Sequence, residues 1–499
     1  TDQIGRTRTN DNLFVGAGTD AAEKESLVVT TADDRVDPED NLTSLREALS
    51  VVTSRDQRRR TDGYAEMTFA ATLFTNAARS VTLTAGGNPL ALTGVQAAAI
   101  VGPTDGSSLT IAPSDDLLAL FTVGETACLE LQNLPLVPNA KSNYATVRSG
   151  GDFTAINCAF DGRGAGCNKI ESTGNSVFVH QCTIANNVRN TKDSNGSFLS
   201  FGGREGHLLN CTLAGNRTAG GDLVYVRSGT FDVLCCTMAE NDFGAGWGIR
   251  ALNAECDGQK TTYAVNCALV GANACSGFAV DAAAHYTTVG KPYAECFDGG
   301  AQTGFVNGVT HRYYRQLRGG AIHTNGCFVF RSSEYRHVGT SLFKSGNAKK
   351  AVRGLSNRAD SRVGTDILGR EVVQGHVSRG SYATCCDPEY FDGGVIWVNT
   401  AEDVVVPDDY DGLIALREAV DFAQANATFR DEAGNCTIQF DNAFFGGKNV
   451  RTITSQMRQM EVAKNFQNGS LVIAPPAGKR ILLDGARTFR PLYVGPGNH

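Results

Sequence analysis

Five carboxylates, Asp152, Asp161, Asp232, Glu240 and Asp242, fall near the ends of short apolar runs. Two such groups held about 5–10 Å apart could act as acid, base or nucleophile on a glycosidic bond. Arg227 and Arg250 stand near turns and could supply the base of an eliminative cleavage, although nothing around them marks that role. Acids also cluster in two loops, DDRVDPEDN (33–41) and EDVVVPDDYDG (402–412). Asp37, Glu39 and Asp40, or Asp408, Asp409 and Asp411, could offer calcium the clustered oxygens it favours. The preferred reading is that these acids precede a helix and favour its N-terminal dipole, since neither loop has EF-hand spacing. No cofactor or metal is therefore expected. His180 reads as a polar core residue or a locally flipped strand beside Cys182, without a second histidine to complete a metal site. The basic runs RDQRRR (55–60) and HRYYRQLR (311–318) could touch an anionic polysaccharide or a neighbouring unit, but the preferred reading is solvated loops. The stretch 277–318, with Tyr286, Tyr293, Tyr313 and Tyr314, breaks the local rhythm and is the first place to look for a binding face.

The elements that would carry these residues follow from a short repeat. INCAFDGR (156–163), HQCTIANN (180–187), LNCTLAGN (209–216), LCCTMAEN (234–241) and VNCALVGAN (265–273) each centre on a cysteine. These are Cys158, Cys182, Cys211, Cys236 and Cys267, spaced by 24, 29, 25 and 31 residues. Apolar residues alternate around them, with Ile156, His180, Leu209, Leu234 and Val265 before and Phe160, Ile184, Leu213, Met238 and Leu269 after. Period-2 alternation describes a strand with one face inward. Asn187, Asn216 and Asn241 close three of the runs, as expected of a residue that tolerates the left-handed backbone of a sharp corner. One strand of the same type per 24–31 residues, with no helical stretch between, predicts a coil whose turns stack about 4.8 Å apart. Like then lies on like, cysteine on cysteine and asparagine on asparagine. The five cysteines read as buried thiols; Cys256, Cys275, Cys296 and Cys385, off this register, are the better disulfide candidates.

A second repeat is much longer. SLREAL (44–49) returns as ALREAV (415–420), an offset of 371 residues that also relates Phe69 to Phe440 and Phe74 to Phe445. TDQIGR (1–6) returns as TDILGR (365–370). The expected organisation is 1–26, the end of a preceding unit and a linker; 27–394, one complete unit; and 395–499, the first third of the next. The chain thus reads as an excerpt from a tandem array. Leu45, Ala48, Leu49 and Val52 form an amphipathic stripe, with Ser44 and Glu47 fitting a capping box. Leu413, Leu416, Val420 and Ala423 repeat the stripe without the capping serine. Each helix is expected to cap the open end of a coil.

Net charge is −7 with pI about 5.7, which argues against a nucleic-acid partner. No run approaches a membrane span. Fifteen cysteines in so long a chain, without zinc-site spacing, argue against a structural zinc.

LTSLREAL resembles the CSLREA motif found near the start of bacterial right-handed parallel β-helix proteins of the pectin-lyase-like fold, with Thr43 where that motif has cysteine. Leu45, Arg46 and Glu47, and again Leu416, Arg417 and Glu418, carry the resemblance. NCTLAGN and QCTIANN are similar to that family's turns. RGGAIHTNGCFVF (318–330) resembles an element of polymorphic outer-membrane proteins, and GTDILGREVVQGHVSRGSYA (364–383) resembles the segment that closes such coils. The resemblance implies an all-β, right-handed parallel β-helix and an exported protein of the bacterial cell surface. Hydrolases of this fold carry a paired-Asp motif beside Gly-His-Gly or Arg-x-Lys, which this chain lacks, so no catalytic residue is expected. The function expected is a structural subunit of a long tandem-repeat protein forming a stiff fibre, stalk or surface layer. Its partner would be itself. The alternatives are an adhesin or glycan-binding module, and then a polysaccharide lyase or glycoside hydrolase.

Overall fold

The computed structural model describes residues 26–37, 39–52, 60–74, 80–94, 96–114, 119–138, 145–189, 197–251, 267–276, 288–297, 299–315, 365–370, 380–382, 400–403, 415–425, 433–440, 442–456, 459–462, 470–488 and 490–495, with short pieces at 255–256, 259–260, 262–265, 284–285, 327–329, 376–378 and 395–398. Three long sheets dominate it, of ten, nine and eight strands. The chain visits them in turn. Asp152–Ile156 lies in sheet 1, Ala159–Asp161 in sheet 2 and Ile170–Ser172 in sheet 3, after which Ser176–His180 pairs in parallel on Asp152–Ile156. Every pairing within the three sheets is parallel and joins one turn to the next, the arrangement of an all-β parallel solenoid.

The cysteine-centred runs are corners between two sheets, which corrects the single-strand reading. The residue before each cysteine takes a left-handed backbone: Asn157 (φ 48°), Gln181 (51°), Asn210 (53°) and Cys235 (50°). That turn reverses the alternation. Phe153, Ala155, Cys158 and Phe160 share the core, whereas Ile156, His180, Leu209 and Leu234 face outward from sheet 1 and are buried outside it. His180 is therefore on the outer face, 6.1 Å from the ring of Phe178. The corner also explains the cysteines. Each thiol reaches the carbonyl two residues before it: Cys158 to Ile156 (3.3 Å), Cys182 to His180 (3.1 Å), Cys211 to Leu209 (3.3 Å) and Cys236 to Leu234 (3.2 Å). Three sulfurs accept from the preceding turn: Cys158 N–H donates to Cys182 Sγ, Cys211 to Cys236 and Cys236 to Cys267, all at 3.4 Å. A small apolar group with a weak donor and a weak acceptor satisfies both needs in the core. Cys158, Cys182, Cys211 and Cys236 are unbridged thiols.

The asparagines correct a second reading. The left-handed residue is the one before each, Asn186 (φ 54°), Gly215 (64°) and Glu240 (54°). Asn187, Asn216 and Asn241 instead turn inward as a ladder. Asn187 Nδ2 donates to Asn216 Oδ1 and Asn216 Nδ2 to Asn241 Oδ1, both at 3.0 Å. Asn216 and Asn241 also donate to the carbonyls of Ile184 and Leu213.

At the start of the coil, helix α1 (Leu45–Val51) has the expected capping box between Ser44 and Glu47. Leu45, Ala48, Leu49 and Val52 are buried in one core cluster with Val29, Met67 and Leu92. Arg46 makes a two-pronged pair with Asp34, Nε to Oδ1 at 3.0 Å and Nη2 to Oδ2 at 2.7 Å. Asp34 also accepts from Gly86 N–H, and Arg46 donates to the carbonyls of Gly86, Asn88 and Pro89. The pair thus clasps the acidic loop, the helix and the first turn of the coil. In the second copy, helix α2 (Leu416–Ala425) carries Arg417, paired to Asp403 at 2.8 and 2.7 Å. Asp403 accepts from Gln456 N–H as Asp34 does from Gly86. Glu418 keeps half of the capping box, accepting from Ala415 N–H. Leu416, Val420 and Ala423 are buried; Leu413 lies outside the described residues. The strands Val395–Val398, Cys436–Phe440 and Leu471–Ala474 pair in parallel, like the first strands of the first copy.

Two carboxylates of the acidic loop are taken up by its own arginine. Arg35 pairs with Asp37 (2.9 Å) and Asp40 (2.8 Å). Asp408, Asp409 and Asp411 lie outside the described residues, as do Cys385 and the side chains of Cys256 and Cys275. Cys296 is buried with Phe297 and Tyr314. Among the described residues no helix is long and apolar enough to cross a membrane.

Candidate functional site

The corner between sheets 1 and 2 points two polar rows outward. The left-handed residues Asn157, Gln181 and Asn210 form one; the hydroxyls of Thr183, Thr212 and Thr237, one residue after each cysteine, form the other. Both rows hold chain from far along the sequence. The stretch 277–318 does not break the coil at once: Ala284–His285 and Thr288–Lys291 still extend sheets 1 and 2. Then Gln302–Val306 and Val309–Tyr313 form an antiparallel hairpin closed by Asn307-Gly308, both with positive φ, as a two-residue hairpin turn requires. Asn157 Nδ2 donates to Val306 O at 3.1 Å. His311 bridges Asn157 Oδ1 (2.6 Å) and Thr183 Oγ1 (3.0 Å). Residues 365–370 follow along the same rows. Gln181 and Asn210 donate to Thr365 and its neighbour, and Ser381 N–H donates to Thr237 Oγ1 at 2.9 Å. Tyr382 stacks on Tyr313 with ring centres 4.6 Å apart, and Arg370 lies over Tyr382. Thr365, Asp366 and Ser381 thus lie along the side of the coil.

Between this hairpin and sheet 2 lies a cleft of about 300 Å³. Its floor is short side chains, among them Thr110, Pro135, Ala159 and Ala185, which is why space remains. The hairpin tip closes one end: Gly308 sits so near the carbonyls of Ser107 and Pro103 that a Cβ would overlap the former. The other end is tied by Arg312, which donates to Asn186 Oδ1 (2.9 Å) and Glu240 Oε2 (2.6 Å), while Tyr314 donates to the same Glu240 oxygen (2.8 Å). Asp161 borders the cleft, its Oδ1 accepting from Asn186 Nδ2 and from Arg163 N–H. The volume is at the low end for ligand sites and the walls mix hydroxyls with small apolar groups. Such a place suits one small hydroxylated group rather than an extended chain.

His311 makes hairpin docking depend on pH. Burial pushes its pKa down to about 4 from an ordinary 6.5. The unfolded chain therefore binds the proton first as pH falls. The neutral ring contributes fully above about pH 6.5, and its contribution, on the order of 3 kcal/mol, is lost between 6.5 and 4. Hydrogen-exchange protection factors for 302–313 should fall across that window. His311→Gln should flatten the dependence; protection unchanged from pH 7 to 4 would refute the assignment.

The carboxylates singled out from sequence do not meet. Asp161 and Glu240 both touch the hairpin network, but Asp161 pairs through Ala185 and Ala214 to Ala239, three turns away, or about 14 Å. Asp152 is on the outer face of sheet 1, accepting from Ser176 Oγ at 2.6 Å. Asp242 accepts from Gly244 N–H. Asp232 is fully buried on sheet 1, 3.3 Å from His207 Nδ1; His207 Nε2 is 3.0 Å from Glu205. This Glu-His-Asp group was missed, although Glu205-x-His207 at period 2 marks two outward neighbours. Burial works against charging His207, but the two acids outweigh it and hold its pKa above the ordinary value. Phe178 stacks on His207 at 4.9 Å; His207 and Asp232 are fully buried, and only Glu205 is partly exposed. Leu45, Arg46 and Glu47, with Leu416, Arg417 and Glu418, sit at the starts of the two copies, far along the chain from the cleft. Tyr293 and Tyr314 pack against each other and Phe297; Tyr286 is outside the described residues.

Comparison with protein-family models, curated proteins and solved structures gives no match.

Proposed function

We propose that this chain belongs to a long tandem-repeat protein of the bacterial cell surface and that its work is mechanical. Each unit would be a right-handed β-helix capped at its start by the LREA helix, and successive units would form a stiff fibre, stalk or surface layer. The observation that carries the reading is the repeated clasp. Asp34–Arg46 and Asp403–Arg417 use the same atoms in the same two-pronged geometry, each also gripping the first turn of its own copy. A device that rebuilds the same coil start after 371 residues suits a row of like units more than one active site. Sheet 1 alone, with ten strands in one direction, would span roughly 45 Å at the ordinary interstrand spacing. The separation of Asp161 from Glu240 and the burial of Asp232 support a non-catalytic reading. Electron microscopy of the full-length native protein should show uniform filaments with an axial repeat of one unit. Separate globular particles or flexible strings would overturn the fibre reading. A second reading, an adhesin or glycan-binding module, is favoured by the cleft beneath the hairpin.

A further inference from the structure

Two of the three faces of the coil are covered by the chain itself. Outward residues of sheet 1 such as His207, Leu209 and Asp232 are buried, and sheet 2 carries the hairpin. Sheet 3 is different. Five successive strands of it each turn one residue outward, and register stacks these residues in one column: Arg148, Glu171, Ser200, Tyr225 and Arg250. The side chains of Arg148 and Arg250 are 51% and 46% exposed. Arg227, from the turn after Tyr225, folds back so that its Nη2 donates to Ser200 Oγ at 2.7 Å. Guanidinium groups therefore stand over the first, third and fifth turns of the column, about 10 Å apart at two turns per step. Glu171, on the second turn, is shared by Arg148 (3.2 Å) and Lys169 (2.7 Å). Asp222 is 3.9 Å from Arg250, and no carboxylate pairs with Arg227 among the described residues. Four cations thus stand with two carboxylates along a strip of a protein whose net charge is −7; Lys169, Asp222 and Ser200 are buried in it, while Arg148 and Arg250 are exposed.

We propose that this stripe binds a linear acidic polysaccharide carrying one negative charge per two sugars, laid along the coil axis. Charged on alternate sugars, such a polymer can meet cations on alternate turns, about 10 Å apart, and pass Glu171 with an uncharged sugar. A polymer charged on every sugar would set an anion against Glu171. Tyr225, between Arg227 and Arg250, offers a ring face and a hydroxyl to the sugar that bears no charge. The proposal deepens the glycan-binding reading, and rests on it, but places the ligand on a different face from the cleft.

The test is titration calorimetry of the full chain with three polymers: alternating glucuronate and N-acetylglucosamine, polygalacturonate, and uncharged dextran. The alternating polymer should bind about tenfold tighter than polygalacturonate, weaken with salt, and lose at least about tenfold in the Arg148→Gln/Arg250→Gln variant. Both positions are exposed, so the variant's melting temperature should match wild type. Equal affinity for the two acidic polymers would overturn the spacing argument. No binding to either acidic polymer, or binding unchanged in the double variant, would overturn the stripe. Binding that survives the double variant but fails on Asp161→Asn would leave the glycan reading in place, at the cleft.

Discussion

Asp403→Ala should destabilise the start of the second copy by about 3–5 kcal/mol, the usual result of stranding one member of a buried ion pair. Arg417 is 7% exposed and Asp403 1%, so the guanidinium left behind would have neither a carboxylate nor much water. The Gln456 amide would lose its acceptor as well. Asp34→Ala should cost less, because Arg46 is 22% exposed and keeps three backbone carbonyls. Replacing both members, Asp403→Leu with Arg417→Met, should recover most of the loss, since apolar residues of similar size carry no desolvation penalty. Hydrogen exchange in Leu416–Ala425 and Cys436–Phe440 reads the local effect, and urea unfolding the global one. A loss below about 1 kcal/mol for Asp403→Ala would remove the clasp as the device that starts each copy.

The arginine of this clasp is visible in the sequence; its partner is not. Arg46 lies 12 residues from Asp34 and Arg417 lies 14 from Asp403, so no fixed spacing links them. The acidic loop suggested metal or helix dipole, whereas one of its acids serves the helix's own arginine. The coil itself was legible, because stacking identical corners imposes a period on cysteine and asparagine that survives every change of turn length. What period-2 reasoning could not see is that one left-handed residue exchanges inside for outside. Ile156 and Cys158 are two apart yet lie on opposite faces of the wall. The outward rows are nonetheless written in the motif: Asn157, Gln181 and Asn210 before the cysteine, and threonine after it in QCT, NCT and CCT. The hairpin carried its own signal, Asn307-Gly308 between alternating residues. Nothing local says where such a hairpin docks, since its partners Asn157 and Thr183 are well over a hundred residues away.

Gly203→Ala should cost about 3 kcal/mol or more, at the upper end of what overpacking a rigid interior does. The turns from sheet 3 to sheet 1 place Gly151, Gly174, Gly203 and Gly229 in successive turns of the coil. A Cβ on Gly151 would overlap the carbonyls of Gly124 and Ala127; one on Gly174, those of Gly150 and Gly151; one on Gly203, that of Gly174; and one on Gly229, that of Gly203. Gly203 does not have a left-handed φ, so alanine could adopt its backbone conformation, and the obstacle is the turn below. Backbone cannot rotate aside as a side chain can, and moving it apart would stretch the parallel pairing on both sides of the corner. Gly86 is the control within the same chain. It also has an ordinary φ, but a Cβ there meets nothing within 4 Å, so Gly86→Ala should stay within about 0.5 kcal/mol of wild type. Urea midpoints at unchanged slope separate the two outcomes. If Gly203→Ala unfolds with the midpoint of Gly86→Ala, successive turns can part without loss, and the stiffness that the fibre reading requires has no basis at these corners.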